Sequence, residues 1–260
     1  MKIPIYQADA FTGELFRGNP AAVCPLDEWL PDETLQAIAA ENNLSETAFF
    51  IPRGKDYHLR WFTPAIEVDL CGHATLATAH VLFQHLGYRQ AIIHFHCRSG
   101  LLSVTREGGL YVMDFPTDIL EPALAPKVLA EALGITPREV FAGREDFLVV
   151  LESEAAVAAL RPDFRLLRQV KGRGVIATAP GDTVDFVSRC FFPNAGIDED
   201  PVTGSAHTTM TPYWAERLGK QELLARQISR RGGEVRCTML GERVALAGKA
   251  VTYMEGVVWI

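Results

Sequence analysis

Two short segments place a glycine and polar residues where an apolar helix begins: Cys71-Gly72-His73-Ala74-Thr75 and Thr203-Gly204-Ser205-Ala206-His207. The first turn of a helix carries unpaired backbone N–H groups and the positive end of the macrodipole, so each segment can receive an anion such as a carboxylate. Taken singly, such a glycine is more commonly the permissive residue of a tight strand-to-helix turn. Its repetition, with His73 and Ser205 alongside, turns the reading toward a site.

Glu46 stands in Leu44-Ser45-Glu46-Thr47-Ala48-Phe49-Phe50, an otherwise apolar run. Burial beside those phenylalanines would let it take and return a proton near neutral pH, because desolvation disfavours the charged carboxylate. Judged on its own segment, Glu46 reads better as an edge-strand carboxylate facing water. Asp200, in Asp198-Glu199-Asp200-Pro201, likewise reads as a turn acid before a proline. Only together with the two glycine turns do these residues become a site.

Other chemistries find less support. His94 and His96 alternate along a strand and share a face, as a metal site would begin, but no third ligand follows at useful spacing. They read as a polar strand face, and no metal is expected. Gly172-Arg173-Gly174-Val175-Ile176-Ala177 has the look of a dinucleotide fingerprint, yet it leads into a strand, whereas the fingerprint must follow one and open a helix. Gly204-Ser205-Ala206 is not the serine-hydrolase elbow, and no phosphate-binding loop is present. No cofactor is expected.

The elements that must position these residues alternate irregularly. Strands are expected over Ile3–Phe11, Ala21–Cys24, Thr47–Ile51, Leu59–Phe62, Val68–Cys71, Ile92–Cys97, Leu101–Thr105 and Leu110–Phe115. A helix starts at Pro31-Asp32-Glu33 and stops at Asn42-Asn43, and Ala74–Leu86 has the character of a buried helix. Thr117–Pro126, with two acids and two prolines, is the best linker candidate, dividing the chain into residues 1–117 and 118–249, with 250–260 expected to complete the first half. Past it the plan repeats: helices Pro126–Leu133, Glu154–Leu160 and Ser205–Leu218, with strands Phe147–Leu151, Val175–Ala179, Val184–Phe192, Val235–Leu240, Arg243–Ala247 and Val251–Ile260. Without regular strand-helix alternation the class is α+β.

Composition bounds the rest. At 260 residues, 48% apolar and 22% charged, the chain can bury a substantial core, and its apolar stretches are too interrupted to span a bilayer. Its start lacks a secretory pattern, so a cytoplasmic location is expected. Five cysteines without a CxxC pair read as reduced thiols. A net charge of −7 offers no attraction to nucleic acid or anionic lipid, and the basic run Arg226–Arg236 reads as a solvated turn.

Asp9-Ala10-Phe11, Gly18-Asn19-Pro20-Ala21, Ser45-Glu46-Thr47-Ala48-Phe49, Phe62-Thr63-Pro64, Cys71-Gly72-His73-Ala74-Thr75 and Glu199-Asp200-Pro201-Val202-Thr203-Gly204-Ser205-Ala206 together closely resemble the phenazine-biosynthesis-like (PhzF) proteins, in family order and over nearly the whole chain. The resemblance implies the diaminopimelate epimerase-like fold: two similar halves, each a curled, mostly antiparallel sheet around a central helix, with the active site in the cleft between them. It also implies a last strand that crosses back to the first half, and a homodimer. In function it implies an isomerase similar to trans-2,3-dihydro-3-hydroxyanthranilate isomerase, without cofactor, acting on a small carboxylate. Matched by motif, Glu46 resembles the acid/base. His73 and Asp200 resemble its polar partners, and Asn19, Cys71, Gly72, Ala74, Thr203, Gly204 and Ser205 look like substrate-binding positions. The related epimerases use two thiols; Cys71 matches one, but Thr203 stands at the other, and a hydroxyl is too weak an acid/base to replace a thiolate. A one-thiol epimerase using Cys71, or a small-carboxylate binding protein without turnover, are the alternatives. A scaffold role ranks last.

Overall fold

Burial alternates over the first four residues of regular structure, with Ile3 and Ile5 inside and Lys2 and Pro4 outside, the period of a strand with one face in a core; from Ala8 to Ala10 the strand is buried on both faces. The computed structural model describes residues 1–260. They form two units, Met1–Asp114 with Ala247–Ile260, and Phe115–Leu246.

In the first unit β1 (Lys2–Ala10) turns back into β2 (Asn19–Pro25). The turn depends on Gly18, whose φ is +64° and whose added Cβ would lie 2.2 Å from the Ala10 carbonyl oxygen. Asp9 steadies the loop by accepting a 2.9 Å hydrogen bond from the Phe16 amide. Next comes α1 (Asp32–Asn42), with Asp32 and Glu33 in its positive first turn and a left-handed Asn43 at its end. The unit continues through β3 (Glu46–Arg53), β4 (Asp56–Phe62), the two-residue β5 (Glu67–Val68), α2 (Gly72–Gln84), β6 (Ile92–Cys97), β7 (Gly100–Glu107) and β8 (Leu110–Pro116).

The pairs β2–β3 and β4–β6 are parallel; β1–β2, β3–β4, β6–β7 and β7–β8 are antiparallel. Helix α2 is buried from His73 through Leu82 and packs on β1, β2 and β3. Small residues permit that enclosure: Ala74, Thr75, Ala77 and Thr78 are fully covered, and both threonine hydroxyls are satisfied by donating to carbonyls four residues back. A second layer of core, with Ile3, Leu35, Ile38, Phe49 and Phe62, lies under α1.

The second unit runs β9 (Glu121–Pro122), α3 (Lys127–Leu133), β10 (Glu139–Ala142), β11 (Asp146–Val150), α4 (Glu154–Ala159), α5 (Phe164–Leu167), β12 (Gly174–Pro180), β13 (Phe186–Phe192), β14 (Ile197–Asp200), α6 (Gly204–Leu218), β15 (Glu222–Gln227), β16 (Gly233–Leu240) and β17 (Arg243–Gly248). Strand β10 pairs antiparallel with β9 and β11, β12 with β13, and β15 with β16; β11–β12 and β13–β15 are parallel. Helix α6 contains Pro212, which has no N–H to offer the Thr208 carbonyl; the Asp118 amide donates to it instead, at 3.2 Å. Finally β18 (Ala250–Trp259) returns to pair antiparallel with β1 in the first unit, with one bulge at Gln7/Ala8.

Several local expectations are corrected. Thr117–Pro126, expected as the linker, follows the unit boundary at Asp114/Phe115 and packs on the second unit: its Glu121–Pro122 joins β10, and the Asp118 carboxylate accepts from the Arg144 amide and the Thr209 hydroxyl. Arg226 and Arg236 belong to paired strands β15 and β16, as the alternation of buried Leu223, Ala225 and Gln227 announces, and the expected turn is confined to residues 228–232 between them, where Arg230 is exposed. The strand expected at Val68–Cys71 is confined to Glu67–Val68. His94 and His96 are satisfied by Ser103 and Asp56, both at 2.9 Å.

Candidate active site

Parallel strands begin at the same end, so the pairing of β2 with β3 brings their first residues, Asn19 and Glu46, to one end of the sheet. The register matches Ala21 with Glu46. Helix α2 starts at this end too, bringing Cys71 as its N-cap and Gly72, His73 and Ala74 as its first turn. No side chain caps α2 and no acidic residue occupies its first turn, so nothing in its own sequence answers the positive end of its dipole.

Glu46 is 9% exposed. That overturns the water-facing reading of its segment: as the first residue of a strand flanked on both sides, it is not on an edge. Its Oε2 lies 3.2 Å from Nε2 of buried His73. On the other side of that ring, Nδ1 is 3.2 Å from the amide nitrogen of Asn19 and 3.5 Å from the sulfur of Cys71. Burial drives the His73 pKa down to about 3, so its imidazole is neutral at physiological pH. Glu46, Cys71 and His73 each offer a ligand atom within 4.8 Å of the others, a donor set that could also hold a metal ion. Asn19, expected at the substrate, is fully covered and touches His73.

In the second unit Asp200 is 7% exposed at the end of β14 rather than in a solvated turn, because β14 pairs with β13 at Cys190. Its Oδ2 accepts a 2.5 Å hydrogen bond from the hydroxyl of Thr203, the N-cap of α6. Gln227, which the sequence did not single out, ties this turn together. Its Oε1 accepts from the Thr203 amide at 2.9 Å, and its Nε2 donates to the Asp200 carbonyl at 2.7 Å. Arg173, which no local pattern marks as a contributor, also belongs to this turn. It pairs with buried Asp146, donates to the Ser205 hydroxyl at 3.2 Å, and lies over the Phe192 ring. The signal was its setting: Gly172 has φ +102°, and a Cβ on Gly174 would meet the Phe191 carbonyl at 2.1 Å, so the two glycines thread Arg173 through a crowded corner. Gly204 and Ser205 open α6, which, like α2, has no capping side chain and no acid in its first turn.

A family model for phenazine biosynthesis-like protein matches residues 8–256. The chain belongs to the phenazine biosynthesis-like family. Similarity within this phenazine biosynthesis-like group is high: the chain is 57% identical to an uncharacterized isomerase of Pseudomonas aeruginosa, over 98% of both chains. It is 40% identical to the human phenazine biosynthesis-like domain-containing protein, over 98% of this chain and 99% of that one. Among solved structures, a PhzF-family phenazine biosynthesis protein from Enterococcus faecalis superposes with a TM-score of 0.97 at 48% identity, covering 100% of both chains. A predicted epimerase from Pseudomonas aeruginosa follows the same fold at a TM-score of 0.76 and 20% identity, covering 99% of each chain. The fold is therefore α+β and epimerase-like, and the chain is an enzyme of the isomerase class, its exact reaction left open.

Proposed function

We propose that the protein moves a proton between carbons of a small carboxylate, with Glu46 as the acid/base and with no cofactor. The observation that carries this reading is the placement of a buried carboxylate at the uncapped start of α2, 3.2 Å from a neutral imidazole nitrogen. A carboxylate shielded from water and held among fixed dipoles can take a proton from carbon and give it back without solvent reorganisation. His73 is its polar partner, and Asp200 takes the same kind of role in the second unit. The opening of α2 at Gly72 supplies N–H donors for the substrate carboxylate, and the opening of α6 at Gly204–Ser205 is an equivalent anion-receiving turn within the second unit.

Distance argues for transfer on one face of the substrate. Two groups that worked opposite faces of one carbon, each about 3–3.5 Å from it, would stand about 6–7 Å apart. The Cys71 sulfur and a Glu46 oxygen lie within 4.8 Å of each other, which disfavours a one-thiol epimerase built on that pair.

Glu46→Gln keeps the volume and removes the base. Solvent-deuterium wash-in to a substrate found by thermal-shift screening of carboxylic metabolites should fall at least about a hundredfold, with binding retained. Undiminished wash-in would remove Glu46 from the role, and hits that bind the wild type without any exchange would make the protein a binder instead.

A further inference from the structure

His73 sits between a donor and a carboxylate, and that fixes where its proton belongs. An amide nitrogen only donates, so the Asn19 side chain at 3.2 Å makes Nδ1 an acceptor. The ring must then carry its proton on Nε2. The ring's place in the first turn of α2, at the positive end of the helix dipole, disfavours a second proton. The Nε2 atom is buried and makes no aligned hydrogen bond within the protein, although the Glu46 oxygen lies only 3.2 Å away. A buried N–H without an acceptor is costly unless a ligand supplies one.

We propose that Asn19 fixes His73 as a neutral Nε2–H donor, and that Glu46 and His73 form an enolisation pair whose substrates carry a carbonyl-type oxygen on the carbon next to the one that loses its proton. This deepens, and rests on, the assignment of Glu46 as the base. In such a substrate the reacting hydrogen and the oxygen lie side by side. A base and a donor that reach both at once must be neighbours, about 3–5 Å apart, as Glu46 and His73 are. The C–H bond breaks and its proton goes to the Glu46 carboxylate. Its electron pair becomes the new C=C bond, the carbonyl π pair moves onto oxygen, and the His73 N–H holds that oxygen without giving up its own proton. Glu46 then returns the proton on the same face, to the original carbon or to a conjugated one, and only the second outcome isomerises the substrate. Asn19 is a positioning residue in this scheme, and His73 is the catalytic donor.

The tautomer can be read without any substrate. Long-range proton–nitrogen NMR spectra of the uniformly ¹⁵N-labelled full chain, with His73 assigned by comparison with His73→Gln, should show a neutral ring protonated at Nε2 at neutral pH. Asn19→Asp, which puts an acceptor against the ring, should move the proton to Nδ1. A wild-type ring protonated at Nδ1, or at both nitrogens, overturns the proposal. Deuterium exchange then tests the chemistry with 2-oxobutanoate and levulinate against butanoate and pentanoate. Exchange should be confined to the oxo acids, fall at least about tenfold in Asn19→Asp and His73→Leu, and be partly kept in His73→Gln, whose amide can still donate. Exchange of the plain acids at the same rate, or of none of the four, overturns the enolisation assignment. Glu46→Gln separates the two readings: if it exchanges as the wild type does while the Nε2–H tautomer stands, the base has been misassigned and the positioning by Asn19 has not.

Discussion

At the scale of single residues, the second unit depends on a polar side chain buried for its hydrogen bonds. Gln227 is fully buried, and both ends of its amide are used on the Asp200–Thr203 turn. Replacing it with leucine keeps most of the volume and strands the Thr203 amide and the Asp200 carbonyl away from water. Each stranded group costs about 1–3 kcal/mol, so Gln227→Leu should lower unfolding stability by about 2–6 kcal/mol. Urea denaturation of the intact chain measures it. A loss under about 0.5 kcal/mol would mean that the turn does not need its lock.

Among the elements, the one that sets the position of Asn19 is the β1–β2 turn, and Gly18 is its weakest point. The left-handed φ of +64° strains any other residue, and a Cβ would collide with the Ala10 carbonyl. Since Ala10 pairs with Asn19, relief of that collision must shift the start of β2. Gly18→Ala should therefore destabilise the fold by about 2–3 kcal/mol and also weaken the His73 tautomer preference, because the Asn19 amide moves with the strand. Calorimetry and the nitrogen spectra check the two effects separately. A destabilised variant with an unchanged tautomer would uncouple the turn from the site.

For the whole molecule, three buried histidines set the acid limit. Burial lowers His73 to about 3 and His80 and His207 to about 4, each from 6.5. Below pH 6.5 the unfolded chain therefore binds protons that the folded chain refuses. Stability from this source is complete above that pH and falls as the medium is acidified, until the folded values are reached. Each histidine contributes a slope of at most about 1.4 kcal/mol per pH unit. Denaturation midpoints should drop steadily between pH 7 and 5, and His207→Phe should remove about a third of that slope. Midpoints that stay level over this range would show that these rings charge freely in the folded state.

Sequence alone determined the local events. The glycines that open α2 and α6, the proline and acids that start α1, and the family motifs around Glu46, His73 and Asp200 are all written within a few residues of where they act. The tertiary structure decided what no local window holds. Glu46 read as solvated until β2 and β4 covered β3 on both sides. Asp200 read as a turn acid until β14 paired with β13, and the contact between Asn19 and His73, 54 residues apart, is visible only in the fold. Gln227 went unnoticed because its partners lie 24 and 27 residues away. The physical reason is common to all four: burial and hydrogen-bond direction belong to contacts distant in sequence, and a side chain's type fixes only what it can offer, not what it meets.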